Sequence, residues 1–278
     1  MITIRRMTID DLGLGIKLSG QAGWNQTEAD WRRFIELEPE GCFVGELNGR
    51  SVGTTTTCVF RKTAWIAMVL VDVNARHKGV GTTLLKHSIE YLKSRQVRTI
   101  RLDATSLGRP IYEKLGFVPD YELARFEGRA TEARESVTVV AAAPELFAEI
   151  IEFDKRTTGR ERAKMLGRLF EEFPENVRIV RRAGKIEGFI TMRPGANAVQ
   201  IGPCTATGEA GPALFCDALD RCAAKPVFVD IPLDNTEAVK VAESNELAVQ
   251  RTLTRMSWGR KPVDNPQSSW ASSGAEKG

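Results

Sequence analysis

The stretch from Trp65 to Ser94 constrains this chain more than any other. Ile66 to Val73 is apolar almost throughout, the pattern of a strand covered on both faces. The turn Arg76-His77-Lys78-Gly79-Val80-Gly81 follows at once. Leu84, Leu85, Ser88, Ile89 and Leu92 then recur on one helical face. Gly79 and Gly81 carry no Cβ, so their backbone can approach a ligand closely. The first amides of a helix have no internal partner and favour an anion. Arg76 and Lys78 add positive charge beside them. By itself the turn fits two readings, a phosphate site or a tight connection with two solvated basic side chains. No G-x-x-x-x-G-K-[ST] run occurs, and Gly81 is followed by Thr82, Thr83 and Leu84 where a dinucleotide fingerprint would place a third glycine.

At 278 residues the chain is long enough for two cores. A hydrophobic fraction of 42% and a charged fraction of 27% predict a globular protein. A net charge of +3 and the lack of a basic stripe with interleaved aromatics argue against nucleic acid as partner. No apolar run is long enough to span a bilayer, and Met1 to Arg6 lacks a signal-peptide core. The five cysteines show no C-x-x-C spacing and read as free thiols, so a cytoplasmic location is expected. His77 and His87 are the only histidines, and no metal site is expected.

In chain order, Ile2 to Arg6 alternates as a half-buried strand does. A helix capped by Thr8 or Asp10 runs to about Leu18. Thr27 and Asp30 have capping-box spacing ahead of a helix from Glu28 to Leu37. Cys42–Leu47 and Arg50–Phe60 read as strands joined by the hairpin turn Asn48-Gly49. Val97 to Ala104 is the strand after the central helix. A short helix from Arg109 to Leu115 stops at Gly116. Phe117-Val118 and Tyr121–Phe126 are strand-like, and Glu127–Ala133 reads as a linker.

This order and two motifs together resemble the GNAT acyltransferases. One motif is Arg76-x-x-Gly79-x-Gly81 after an apolar strand. The other is Tyr112-Glu113-Lys114-Leu115-Gly116-Phe117. The resemblance implies acetyl-CoA as cosubstrate. It assigns the pantetheine arm to backbone groups of Val71 and Val73. It assigns the pyrophosphate to Arg76 and to the amides of Lys78, Gly79, Val80, Gly81 and Thr82. Tyr112 falls where the family places a phenol beside the thioester sulfur, and a phenol can protonate a departing thiolate. The plain alternative is a helix residue packed on the core. Asp72, Asp103, Glu28 and Asp30 are all conceivable bases, and none is assigned. Trp24, Asp103 and Arg162 are the candidate acceptor contacts. Many relatives carry Asn seven residues before the tyrosine; here that place is Thr105.

The order of elements recurs after Val177. Gly184-Lys185-Ile186-Glu187-Gly188 echoes Gly49-Arg50-Ser51-Val52-Gly53, and Val227–Ile231 mirrors Ile100–Ala104. The second copy has no R-x-x-G-x-G; its loop is read as Gly202-Pro203-Cys204-Thr205-Ala206, with no basic residue. Arg160, Arg162 and Arg193 suit a carboxylate on the acceptor, or plain surface charge. The expected architecture is α/β (α+β): two tandem GNAT-like domains, each with a mixed, mostly antiparallel twisted sheet flanked by helices. The expected limits are 1–134 for an acetyl-CoA-binding domain and 135–261 for a copy without the pyrophosphate loop. An irregular tail over 262–278 follows. The expected function is acetyl transfer to a primary amine of a small molecule by direct attack on the thioester. The alternative is an acyl-CoA-binding scaffold without turnover. Oligomeric state is not readable.

Overall fold

The computed structural model describes residues 1–129 and 137–274. The expected boundary at 134/135 lies outside them. Two compact units form. One is Met1–Pro119 with Met256–Lys261, and the other is Asp120–Arg255 with the chain from Pro262 onward. Each unit therefore contains a strand segment from the opposite half of the sequence.

The first unit begins with β1 (Ile2–Arg6), α1 (Leu12–Gln21) and α2 (Glu28–Leu37). The Thr27–Asp30 capping box starts α2, with the Thr27 N–H donating to Asp30 Oδ2 at 3.0 Å. β2 (Cys42–Leu47) and β3 (Arg50–Phe60) close on Asn48 and Gly49, whose φ values are 52° and 76°. Both are left-handed, as a two-residue hairpin turn that matches strand twist requires. β4 (Thr63–Val71), α3 (Val80–Ser94), β5 (Thr99–Ala104) and α4 (Arg109–Lys114) complete the order. The sheet runs β1-β2-β3-β4-β5, antiparallel until the parallel β4–β5 step. Met256–Lys261 then flanks β5, with the Arg260 N–H donating to the Arg98 carbonyl at 2.9 Å. α3 buries the face the spacing predicted, with Leu84, Leu85 and Leu92 each at 2% exposure or less. Leu85, Ile89 and Leu92 of that face join Ile66, Ile100, Leu102, Phe117 and Met256 in one apolar core, while Leu84 packs with Phe43 and Val80 in another.

The second unit opens with β6 (Val118–Arg129) from Asp120 on, so β6 takes in the start of the expected linker. Pro119 does not break this strand, which runs through both segments predicted separately. Next come β7 (Val140–Ala141), α5 (Phe147–Thr158), α6 (Ala163–Glu172), β8 (Arg178–Arg182), β9 (Lys185–Arg193) and β10 (Val199–Ala206). α7 (Ala210–Arg221), β11 (Pro226–Pro232), α8 (Thr236–Ser244), β12 (Ala248–Gly259), of which this unit holds the part up to Arg255, and β13 (Ser269–Ala271) follow. β6 pairs with β11, from Leu123↔Pro232 to Arg129↔Pro226. β11, β10, β9, β8 and β7 continue the sheet, with β10–β11 its parallel step. The repeat is thus present as structure: β8–β9–β10–α7–β11–α8 retraces β2–β3–β4–α3–β5–α4.

Two expectations about this half are corrected. Gly202 to Ala206 is not a loop. It lies inside β10, with a register shift between Ile201 and Cys204, and the turn into α7 is Thr207-Gly208-Glu209. The tail is not irregular over its length either: β13 pairs with β10, and Trp270 is 2% exposed.

Candidate functional site

The first unit holds a cleft between β4 and β5. Their ladder runs from Thr63↔Thr99 to Trp65↔Arg101 and stops. β4 continues to Val71 and β5 to Ala104, so beyond that rung one edge of β4 lies without its neighbour. The register with β3 shifts there as well. Thr54 faces Leu70 and Thr56 faces Ala67, so Met68 and Val69 share one partner position. Met68 has φ of 50°, and its carbonyl accepts from Thr54 Oγ1 at 2.9 Å. A left-handed non-glycine residue costs about 1–2 kcal/mol, and bulges that re-aim a strand edge cluster at active sites.

The edge of β4 leads to the glycine turn. Asp72 Oδ1 accepts the Asn74 N–H at 3.0 Å and coils Val73–Ala75 into a 3-10 turn. Val73 is therefore not part of the strand, and its N–H faces Gln21 Oε1 at 3.3 Å. This corrects the assignment of Val73 as a strand-pairing residue. Val71, the last residue of β4, keeps its place, and Val69 and Leu70 join it on the same stretch. The signal for this was Asp72-Val73-Asn74, an Asx-turn sequence.

Gly79 has φ of 85° and stands before the first turn of α3, with no side chain capping the helix. The N–H groups of Val80, Gly81 and Thr82 have no intrahelical partner by the geometry of a helix start. Arg76 and Lys78 are exposed beside them. Arg76 Nε reaches the Val71 carbonyl at 3.3 Å, and Lys78 Nζ the Asn74 carbonyl at 3.0 Å. An uncapped, glycine-opened helix start between two cations fits a phosphate ester.

Tyr112 lies on α4, half-buried, edge-on to Phe117 at 6.0 Å. Its hydroxyl has no hydrogen bond among the described residues, and burial pushes its pKa up to about 12. The phenol is thus held in its proton-donating form.

The carboxylates separate by what holds them. Asp72 is paired with Lys17 at 2.7 Å, and that contact, with the Asn74 N–H, holds its carboxyl at about 2. Asp30 is buried against Arg33 at 2.7 Å, and exposed Glu28 pairs with Arg32. Asp103 stands on β5 beyond the last rung shared with β4. Trp24 is half-buried between α1 and α2, its N–H bonded to the Ser19 carbonyl at 3.0 Å.

Arg162 belongs to the second unit and is a structural residue. Its guanidinium grips Asp154 with both forks at 2.7 and 2.9 Å and reaches Thr205 Oγ1 at 3.3 Å, with only 3% of the side chain exposed. Arg160 is held by Asp264 at 2.7 Å and Tyr121 at 3.1 Å, and Arg193 donates to the Ser273 carbonyl at 2.9 Å. The expected acceptor role of Arg162 is therefore corrected, and the suggestions for Arg160 and Arg193 fall with it. These guanidiniums are committed to carboxylates and carbonyls of their own unit.

A family model described as "Acetyltransferase (GNAT) family" matches residues 17–117. A second, "Acetyltransferase (GNAT) domain", matches 150–270. The chain belongs to the GNAT acetyltransferases. Enzymes of this family take the acyl group from acetyl-CoA. Among GNAT relatives, the holothin acyltransferase of a Pseudoalteromonas strain is 26% identical over 70% of this chain, which spans 65% of that protein. The Bacillus subtilis N-acetyltransferase YitH is 25% identical, over 80% of this chain and 79% of its own. A crystal structure from Pyrococcus horikoshii, described as an acetyltransferase, superposes with a TM-score of 0.83 at 25% identity. That match covers 100% of this chain and 96% of the other. Among the described residues no helix is long and apolar enough to cross a membrane.

Proposed function

We propose that this chain is an acetyl-CoA-dependent N-acetyltransferase that acetylates a primary amine of a small molecule. One observation carries the donor half of this reading: the free edge of β4 leads through the Asp72–Gly79 turn to the uncapped start of α3. The backbone of Val69, Leu70 and Val71 pairs with the extended amide arm of the donor. Arg76, Lys78 and the amides of Gly79, Val80, Gly81 and Thr82 hold its pyrophosphate. Position then supplies much of the rate.

The acceptor amine attacks the thioester carbonyl carbon. Backbone N–H groups at the β4 bulge stabilise the developing oxyanion. The ammonium first loses a proton to solvent; as the C–S bond breaks, Tyr112 Oη gives its proton to the departing thiolate, and the proton shed by the new amide nitrogen leaves to solvent, from which Tyr112 is reprotonated. Asp103 and Trp24 face the acceptor, with Asp103 attracting its ammonium.

The test is thermal unfolding with and without acetyl-CoA, on wild type and Gly81→Glu. A carboxylate at that helix start repels pyrophosphate, so only wild type gains stability, by about 2.7 kcal/mol at a hundredfold excess over Kd. A panel of small amines and N-terminal peptides then reads turnover. Binding without acetylation of any amine replaces this reading with a non-catalytic acyl-CoA-binding protein. Equal stabilisation of both proteins removes the turn from the donor site.

A further inference from the structure

The second unit has the same cleft, and it is already filled. The ladder of β10 on β11 runs from Val199↔Val227 to Ile201↔Val229 and stops, as the ladder of β4 on β5 does. β13 then enters beside β10 in antiparallel sense, with Cys204 opposite Ala271 and Thr205 opposite Ser269. The Ser272 N–H donates to the Asp230 carbonyl of β11 at 2.7 Å. The segment is thus bonded to both strands that diverge.

The helix start beyond it is closed too. Val80-Gly81-Thr82 opens α3, and Ala210-Gly211-Pro212 opens α7 at the same point of the repeat. A Cβ at Gly81 would meet nothing nearer than Val71 Cγ2 at 3.5 Å, whereas one at Gly211 would run into the Trp270 ring. The glycine recurs, but an indole lies against it. Pro212 has no N–H where Thr82 has one. Glu209 stands at the N-cap, in the place of Gly79, and repels anions. Trp270 is packed in the core with Ala210 and Leu214. Asp264, Asn265 and Ser269 tie the approach to Arg160, Thr158 and Asn235.

We propose that the cleft between β10 and β11 is a strand-binding site whose resident ligand is this chain's own segment Ser269–Gly274. That segment sits where the first unit leaves the corresponding cleft open. An extended peptide offers the N–H and C=O groups a strand edge needs, and Trp270 covers the helix start where an anion would otherwise lie. The comparison with the first unit rests on the donor reading above; the occupancy of the second cleft does not. Two consequences follow from it. The chain takes one acyl donor, and the segment is a ligand that can be supplied in trans.

The experiment uses the full chain with a specific protease site inserted after Lys261, folded first and nicked afterwards. Val263 is 85% exposed, so this approach is reachable. A labelled peptide of the sequence from Pro262 to Gly278 is expected to exchange with the nicked segment. Washing the segment out should lower the melting temperature, and the peptide should restore it. The same peptide with Trp270→Ala should compete at least about a hundredfold more weakly, given what truncating a buried Trp costs. Release of the segment with no change in melting overturns the proposal. So does equal competition by the two peptides. Titration of the intact chain should saturate at one acetyl-CoA, and two equivalents overturn the proposal. No acetyl-CoA binding alongside normal peptide exchange removes the donor reading and leaves this inference standing.

Discussion

Tyr112 and Arg162 look alike in sequence, each a polar residue in a suggestive motif, and their hydrogen bonds separate them. Tyr112 has an unengaged hydroxyl and a pKa raised to about 12 by burial. A proton donor of this kind contributes typically about 10²–10⁴-fold. Tyr112→Phe should therefore lower kcat by that order while the Kd for acetyl-CoA, read by calorimetry, stays unchanged. Wild-type turnover in the variant would end the assignment. Since the phenol stays protonated until about pH 12, its own ionisation should cause no alkaline fall in rate within the usual assay range. Arg162 is spent on Asp154 in the interior of the second unit. Removing one partner of a buried ion pair costs about 3–5 kcal/mol. Arg162→Ala should show that loss in denaturant unfolding, with KM for the acceptor unchanged; a raised KM at full stability would return it to the acceptor site. The motif around Tyr112 is contiguous, so its short helix and the Gly116 stop were legible in the sequence. Arg162 was misread because an arginine's partner is chosen by the fold, and here it comes from α5.

At the scale of elements, local chemistry was a good guide wherever the deciding groups are neighbours. The Thr27–Asp30 box, the Asn48-Gly49 turn and the buried stripe of α3 all form from residues a few positions apart. The end of β4 was placed two residues late, at Val73, because Asp72 bends the chain with its own side chain. Asp72 also makes this connection sensitive to acid. Its folded pKa of about 2 lies below the ordinary value of 3.8, so it contributes stability above pH 3.8 that is lost as pH falls through 2. Lys17 is the main cause. In Asp72→Asn the decline of melting temperature between about pH 4 and 2 should be shallower than in wild type. An identical profile would mean that the pair adds nothing, as solvent screening at the exposed Lys17 permits.

At the scale of the whole molecule, each unit needs a strand segment that the other half of the chain encodes. Met256 is fully buried in the first unit's core, and Arg125 of β6 forms a buried pair with Asp230 at 2.8 Å in the second. A fragment of residues 1–134 should therefore fail to give a stable domain despite carrying the whole donor motif. Appending Met256–Lys261 through a linker should recover a cooperative melt. A cooperative melt of the bare fragment at the parent temperature would show that the exchanged segment is dispensable. The sequence by itself determined the family, the tandem repeat, the glycine turn ahead of α3 and the absence of an R-x-x-G-x-G run from the second copy. Each of these is written in residues close together, where spacing alone sets the geometry. Only the tertiary structure decided which strand completes which unit, which arginines are committed to internal carboxylates, and what fills the second cleft. Those outcomes depend on contacts between different elements, some of them far apart in sequence, as Arg125 and Asp230 or Cys204 and Ala271 are, and no local pattern encodes which partner buries a given edge or guanidinium.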